Sequence, residues 1–166
     1  MLTILGMLVA VAAGSTWAAG PGDKLPAEVR STLDHDYRGW RFAKLDPGLR
    51  RLLAVNDSPE WLKGDYDGDG KIDYAVNIVN DGSDNPQKVV ILLGRSKGFE
   101  QHVLESGPVN TYTFLHPVRK GETRTDVTTD KTYTSASEAI DVIYDEKAGV
   151  TYLFARDHFR RIISGD

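Results

Sequence analysis

The sequence predicts an α+β fold in which N-terminal helices pack on an antiparallel meander sheet. Apolar residues at helical spacing occur mainly between residues 25 and 53. From residue 72 onward, short segments rich in β-branched and aromatic residues follow one another, separated by turn residues. Strands joined in this way pair antiparallel, so helices followed by successive hairpins indicate an α+β domain.

Length and composition limit the possible classes of protein. The chain has 166 residues, which favours a single domain, and a net charge of −4. It has no dense stripe of Lys and Arg, which argues against a nucleic-acid partner. It has no cysteine, which excludes disulfides, thiolate zinc sites and a cysteine nucleophile.

The N-terminal segment is typical of an export signal. Residues 2–13 form an apolar run that is short for a membrane span, and small residues follow as far as Gly20. We therefore expect a signal peptide over residues 1–20 and a single domain over residues 21–166, located in the periplasm or secreted. No stable membrane anchor is expected after cleavage. Because no Lys or Arg precedes the run, an uncleaved anchor or a buried N-terminal helix remains an alternative.

Two helices and a short strand are predicted before the sheet. Pro26 opens the first helix, Gly39 ends it, and one stripe faces the core: Leu25, Val29, Leu33 and Tyr37. Residues 40–45 alternate as in a strand. Asp46 is placed to cap a second helix with Pro47 at its first position. Its predicted buried face is formed by Leu49, Leu52 and Leu53.

The rest of the chain is predicted as successive strands. The strand at residues 88–93 is almost continuously apolar, so both of its faces should be covered. The segment 119–137 is Thr-rich and charged, and it is predicted to be a long loop or a weak edge hairpin. In residues 110–118, we expect Tyr112, Phe114 and Val118 on one side. The remaining predicted strands are 72–80, 99–105, 139–144, 150–154 and 159–163, of which the last two form a hairpin.

An acidic loop directly precedes the strand at residues 72–80. It places carboxylates at positions 1, 3, 5 and 9 and a glycine, Gly70, at position 6, where a tight calcium loop turns sharply. Position 12 is Val76, which cannot supply the usual closing carboxylate, so Asp73 must close the shell directly or through water. The alternative is an acidic turn without metal, but four aspartates so close would repel one another without a cation. The predicted Ca²⁺ ligands are Asp65, Asp67, Asp69, the main-chain carbonyl of Lys71, and Asp73.

This loop resembles a known calcium-binding pattern. Residues 64–76 are similar to the Asp-x-Asp-x-Asp-Gly-x-x-Asp core of FG-GAP/VCBS-type repeats. The resemblance implies that Asp65, Asp67, Asp69 and Asp73 bind calcium. Because the pattern occurs once, it does not imply a propeller. The layout also resembles small exported bacterial proteins of unknown function, which have a Leu-Pro pair and a Tyr-x-Gly-Trp segment (residues 37–40) before one such loop.

The sequence contains none of the common local catalytic motifs. No two histidines lie three or four residues apart, and there is neither a Gly-x-Ser-x-Gly elbow nor a phosphate-binding glycine loop. The sequence therefore predicts an exported, non-catalytic calcium-binding domain. The alternative is a periplasmic or secreted protein-binding module, such as an inhibitor or immunity-type protein, with residues 119–137 as its contact loop. A calcium-dependent hydrolase is a weaker third possibility, because no paired general base is evident.

Overall fold

The computed structural model describes residues 24–53, 60–144 and 149–164. The predicted signal peptide, residues 1–20, lies outside the described residues. Within the described ranges, no helix is both long enough and apolar enough to span a membrane.

Two short helices and eleven strands make up the described part of the chain. The helices are α1 (Ala27–Asp36) and α2 (Pro47–Leu52). The strands are β1 (Arg41–Phe42), β2 (Trp61–Gly64), β3 (Asp73–Val79), β4 (Gln87–Gly94), β5 (Phe99–Gly107), β6 (Thr113–Val118), β7 (Thr123–Asp126), β8 (Lys131–Thr134), β9 (Ala139–Tyr144), β10 (Gly149–Ala155) and β11 (His158–Ile163).

The strands form two main antiparallel sheets where the sequence predicted one. The first sheet has the order β1-β3-β4-β5, with β2 also paired to β3, and the second has the order β11-β10-β9-β6. Apolar side chains from both sheets form one core between them, including Ala75, Ile91 and Leu93 from the first and Ile140 and Val142 from the second. The antiparallel meander is therefore confirmed. However, the domain is mostly β, and the expected packing of helices on a single sheet is only a small part of it.

Helix α1 covers the outer face of the first sheet. Leu25, Val29 and Leu33 are buried against the outward-facing side chains of β3 and β4, among them Val76 and Leu92. The predicted apolar stripe of this helix is thus confirmed, and it explains why β4 is buried on both faces.

The predicted buried face of α2 is wrong. Asp46 caps the helix as expected, since its carboxylate accepts hydrogen bonds from the N–H groups of Gly48 and Leu49. None of its residues is buried, however, and Leu52 is 75% exposed. A helix of six residues has fewer than two turns. Its leucines can lie on one side of the helix, but the helix is too short for another element to pack along that side.

Residues 119–137 form a hairpin, the second of the two predicted possibilities. Strands β7 and β8 pair as a separate two-stranded sheet and do not extend an edge of either main sheet. Tyr133 of β8 packs on a small cluster on the outer face of the second sheet, which contains Val118, Leu153 and Ile162. The prediction for Tyr112 is wrong, because β6 begins at Thr113 and Tyr112 lies before it, 45% exposed.

Candidate metal centre

The acidic loop connects β2 to β3 and is folded tightly by its own hydrogen bonds. Gly68 and Gly70 have φ angles of 79° and 83°, a left-handed conformation that favours glycine. The carboxylate of Asp65 accepts a hydrogen bond from the N–H of Gly70 at 3.1 Å, and that of Asp67 accepts one from the N–H of Asp69 at 3.2 Å. These bonds close the chain into a compact turn.

Three of the four aspartates converge. Asp65, Asp67 and Asp73 each offer one carboxylate oxygen, and these oxygens lie within 4.8 Å of one another. Oδ1 of Asp65 is buried and has no hydrogen-bond partner among the described residues. A buried carboxylate oxygen without a donor is costly, and a cation held between the three carboxylates would compensate it.

The fourth aspartate, Asp69, is paired with Lys71 in the structure. Asp69 does not belong to the group of three, and its carboxylate pairs with the ammonium group of Lys71 and accepts a hydrogen bond from the N–H of Lys71. Hydrogen bonding to Lys71 lowers the pKa of Asp69 below its usual value. Ligation by the Lys71 carbonyl remains a prediction.

Asp73 is the most buried of the four aspartates. It is the first residue of β3 and is completely buried. Its two oxygens accept hydrogen bonds of 2.7 Å from the main-chain N–H groups of Tyr66 and Gly94. Burial raises the pKa of Asp73 to about 6, while these two hydrogen bonds act in the opposite direction. Asp73 therefore links the loop to the end of β4, and a nearby cation would favour its ionised form.

The second sheet also holds the loop, through residues that the sequence analysis did not identify. Glu138 lies just before β9, and its carboxylate accepts a hydrogen bond from the N–H of Asp65 at 2.8 Å, while its own N–H donates to the Asp65 carbonyl. The hydroxyl of Ser137 donates to the carbonyl of Tyr66 at 2.6 Å. The side chain of Tyr66 is buried in the core between the sheets. The loop is thus fixed to both sheets.

A guanidinium group compensates part of the loop's negative charge. Arg95 follows β4, and its Nη1 lies 2.7 Å from Oδ2 of Asp67 and 3.5 Å from Oδ2 of Asp69. The hydrogen bond to Asp67 contributes most to raising the pKa of Arg95. The repulsion argument used for the sequence is therefore incomplete, because Arg95 and Lys71 supply cations from the chain itself.

The donor set fits a hard divalent cation. All three converging groups are carboxylates, the oxygen ligands that Ca²⁺ and Mg²⁺ prefer. Val76, at the position where an EF-hand has its last ligand, is fully buried in the cluster beneath α1. The orphaned oxygen of Asp65 also favours an ion here.

Comparison with known proteins gives no family for this chain. Searches with protein-family models, among curated proteins and among solved structures each found no match. The resemblance of the loop to FG-GAP/VCBS-type repeats therefore remains a prediction from the sequence, and the case for a metal centre rests on the geometry of the loop.

Proposed function

We propose that this protein is an exported, non-catalytic calcium-binding domain in which Ca²⁺ stabilises the unit formed by the loop and β3. The convergence of Asp65, Asp67 and Asp73 within 4.8 Å carries the proposal. The loop that holds them is bonded to the ends of both sheets, through Gly94 on one side and Glu138 on the other. An ion bound here would reinforce the attachment of one sheet to the other.

Ion binding to the native state raises the stability of the whole domain. A ligand at one hundred times its Kd contributes about 2.7 kcal/mol. Extracellular calcium modules work at 10⁻⁴ to 10⁻³ M as an order of magnitude, which suits an exported protein. In this proposal the role of calcium is structural, and folding depends on the calcium concentration outside the cytoplasm.

The described residues also form a cleft that lies away from the acidic loop. The cleft has a volume of about 240 Å³ and is lined by Gln87, Val89, Glu105 and Tyr144, among others. Gln87 begins β4, whereas Gly94, which contacts Asp73, ends it. Eight residues of strand extend over roughly 25 Å, so this cleft lies at the far end of the sandwich from the carboxylates.

Isothermal titration calorimetry with CaCl₂ tests the proposal. We expect one Ca²⁺ per chain for the wild type and no binding by Asp67→Ala. The matched control is Asp81→Ala. Asp81 lies in the β3–β4 turn, and its exposed carboxylate is paired with Arg41 of β1. This variant should bind Ca²⁺ like the wild type. Absence of binding by the wild type would refute the proposal. Export is tested separately, by the mass of the protein recovered from the periplasm or medium.

The hairpin β7–β8 supports a second candidate function, that of a protein-binding module. Val127 in its turn is 56% exposed, and the outward residues of both strands are exposed threonines. Deleting residues 119–137 would uncover the apolar cluster beneath Tyr133, so surface substitutions are the cleaner experiment. In pull-downs from a periplasmic extract, loss of one specific partner with Val127→Glu would support this function, and an unchanged set of captured proteins would refute it.

A further inference from the structure

Arg95 contacts the same carboxylates that would hold calcium. Its Nη1 lies 2.7 Å from Oδ2 of Asp67, one of the three converging residues. The side chain of Asp67 is only 7% exposed and that of Arg95 is 31% exposed, so the pair is partly desolvated. Such a pair is stronger than an ordinary surface ion pair, because less solvent screens it.

A calcium ion at the three carboxylates would change the balance of charge around Arg95. The ion would carry two positive charges close to a guanidinium that is already bound to Asp67. The ion and the guanidinium repel each other because both are positive, and both would bind the carboxylate oxygens of Asp67.

A second carboxylate, that of Glu100, contacts the other side of the guanidinium. Oε2 of Glu100 lies 2.8 Å from both Nε and Nη2 of Arg95. Glu100 is on β5, directly across the β4–β5 turn, and its side chain is 51% exposed. Arg95 can therefore give up Asp67 and keep an ion pair.

We infer that Arg95 is a built-in counter-cation that sets the calcium affinity of the loop by competing with the ion for Asp67. The inference rests on the proposed function and adds a residue to its site. When calcium binds, the guanidinium leaves Asp67 and stays with Glu100. Calcium binding then includes the cost of breaking one ion pair, so the affinity is lower than the same carboxylates would give alone. The loop binds calcium where the calcium concentration is high, and Arg95 stabilises the loop where that concentration is low.

Calcium titrations of Arg95→Gln test this inference. Removal of the competitor should tighten calcium binding roughly fivefold, the size expected for a partly exposed ion pair, and should lower stability in chelator. The matched control is Lys97→Gln, which removes the same charge from the same β4–β5 turn. Among the described residues, Asp67 is paired with Arg95, and Lys97 forms no ion pair with it. A general effect of charge would tighten both variants similarly, and that result would overturn the inference.

A double-mutant cycle with Glu100→Gln separates exchange from long-range electrostatics. Without Glu100, the guanidinium should stay on Asp67, so calcium should bind more weakly than to the wild type. In the Arg95→Gln background the same substitution should have little effect, because no guanidinium remains to be redirected. Equal effects in both backgrounds would show simple additivity and would contradict the exchange.

The outcomes distinguish this inference from the proposed function. If the wild type binds calcium and Arg95→Gln binds it equally or more weakly, the counter-cation role is wrong and the calcium site stands. If no variant binds calcium, the proposed function fails and the inference fails with it. Should Arg95→Gln not fold, Arg95→Lys keeps the charge but loses the fork that reaches both carboxylates, and it should bind calcium more tightly than the wild type. Unchanged or weaker binding by that variant would overturn the inference.

Discussion

Replacing Gly94 by alanine tests how the loop is attached to the first sheet. Gly94 is the last residue of β4, and its N–H donates to Asp73. An ideal Cβ at this position would lie 2.6 Å from the main-chain carbonyl oxygen of Ile72 and 3.4 Å from Cβ of Lys71. A glycine in a strand often marks such a close approach of another backbone segment.

The geometry sets the size of the expected effect. A contact of 2.6 Å with a backbone atom cannot be relieved by rotating a side chain, so the exit of the loop must move away from β4. Overpacking of this kind costs about 1–3 kcal/mol of unfolding free energy. The same movement separates the N–H of residue 94 from Asp73 and should weaken calcium binding.

Urea denaturation and calcium titration measure both consequences. The matched control is Gly107→Ala on the adjacent strand β5, where an added Cβ meets nothing within 4 Å and φ is not in the left-handed region. We expect that control to be neutral or slightly stabilising. The reasoning would be refuted if Gly94→Ala were as stable as Gly107→Ala and bound calcium like the wild type.

Three further predictions concern other parts of the fold. Arg156 and Asp157 form the two-residue turn between β10 and β11 with φ angles of 53° and 66°, so Asp157→Gly should stabilise the domain by about 0.5–1 kcal/mol in thermal unfolding. Hydrogen bonds from the hydroxyl and N–H of Thr128 hold the pKa of Asp126 below its usual 3.8. The Asp126 carboxylate therefore contributes stability above pH 3.8, and this contribution is lost as the pH falls through the folded-state pKa. NMR titration of the carboxyl group measures that pKa. Leu52→Lys should change the unfolding free energy by less than about 0.5 kcal/mol, whereas Leu33→Ala should cost about 2–5 kcal/mol in the same urea assay.

Each of these predictions has a clear contrary result. A loss of stability in Asp157→Gly would show that the left-handed turn is not strained. An Asp126 carboxyl that titrates at 3.8 or above would show that the turn hydrogen bonds are absent in solution. A large cost for Leu52→Lys would restore the buried face that the sequence predicted for α2.

The sequence could predict the loop but not what holds it. The spacing of Asp65, Asp67 and Asp73 around Gly70 is local, so the converging carboxylates could be expected from the sequence alone. Glu138 bonds to Asp65 across 73 residues of chain, and Arg95 bonds to Asp67 across 28. No local pattern marks these contacts, because Glu138 comes from the second sheet and Arg95 follows another strand of the first sheet, β4.

The strands and the hairpin of β10 and β11 were predictable, whereas the division into two sheets was not. Alternation and β-branched content located most of the long strands within a few residues, since both reflect a pleated, half-buried backbone. The chain passes from the first sheet to the second through residues 108–112, between β5 and β6, where the N–H of Asn110 donates to the buried Gln87 side chain. That amide in turn donates to Asn77 at 3.1 Å. Such a buried polar connection has no periodic signature in the sequence.

Thermal unfolding in calcium and in chelator is the most direct test of the central claim. The wild type and Asp67→Ala should be compared at millimolar CaCl₂ and in excess chelator. A calcium-dependent rise in Tm of several degrees, present in the wild type and absent in the variant, is the predicted result. A wild type whose Tm is the same in both conditions, with no tightly held metal on elemental analysis, would contradict it. The loop would then be an acidic turn neutralised by Arg95 and Lys71.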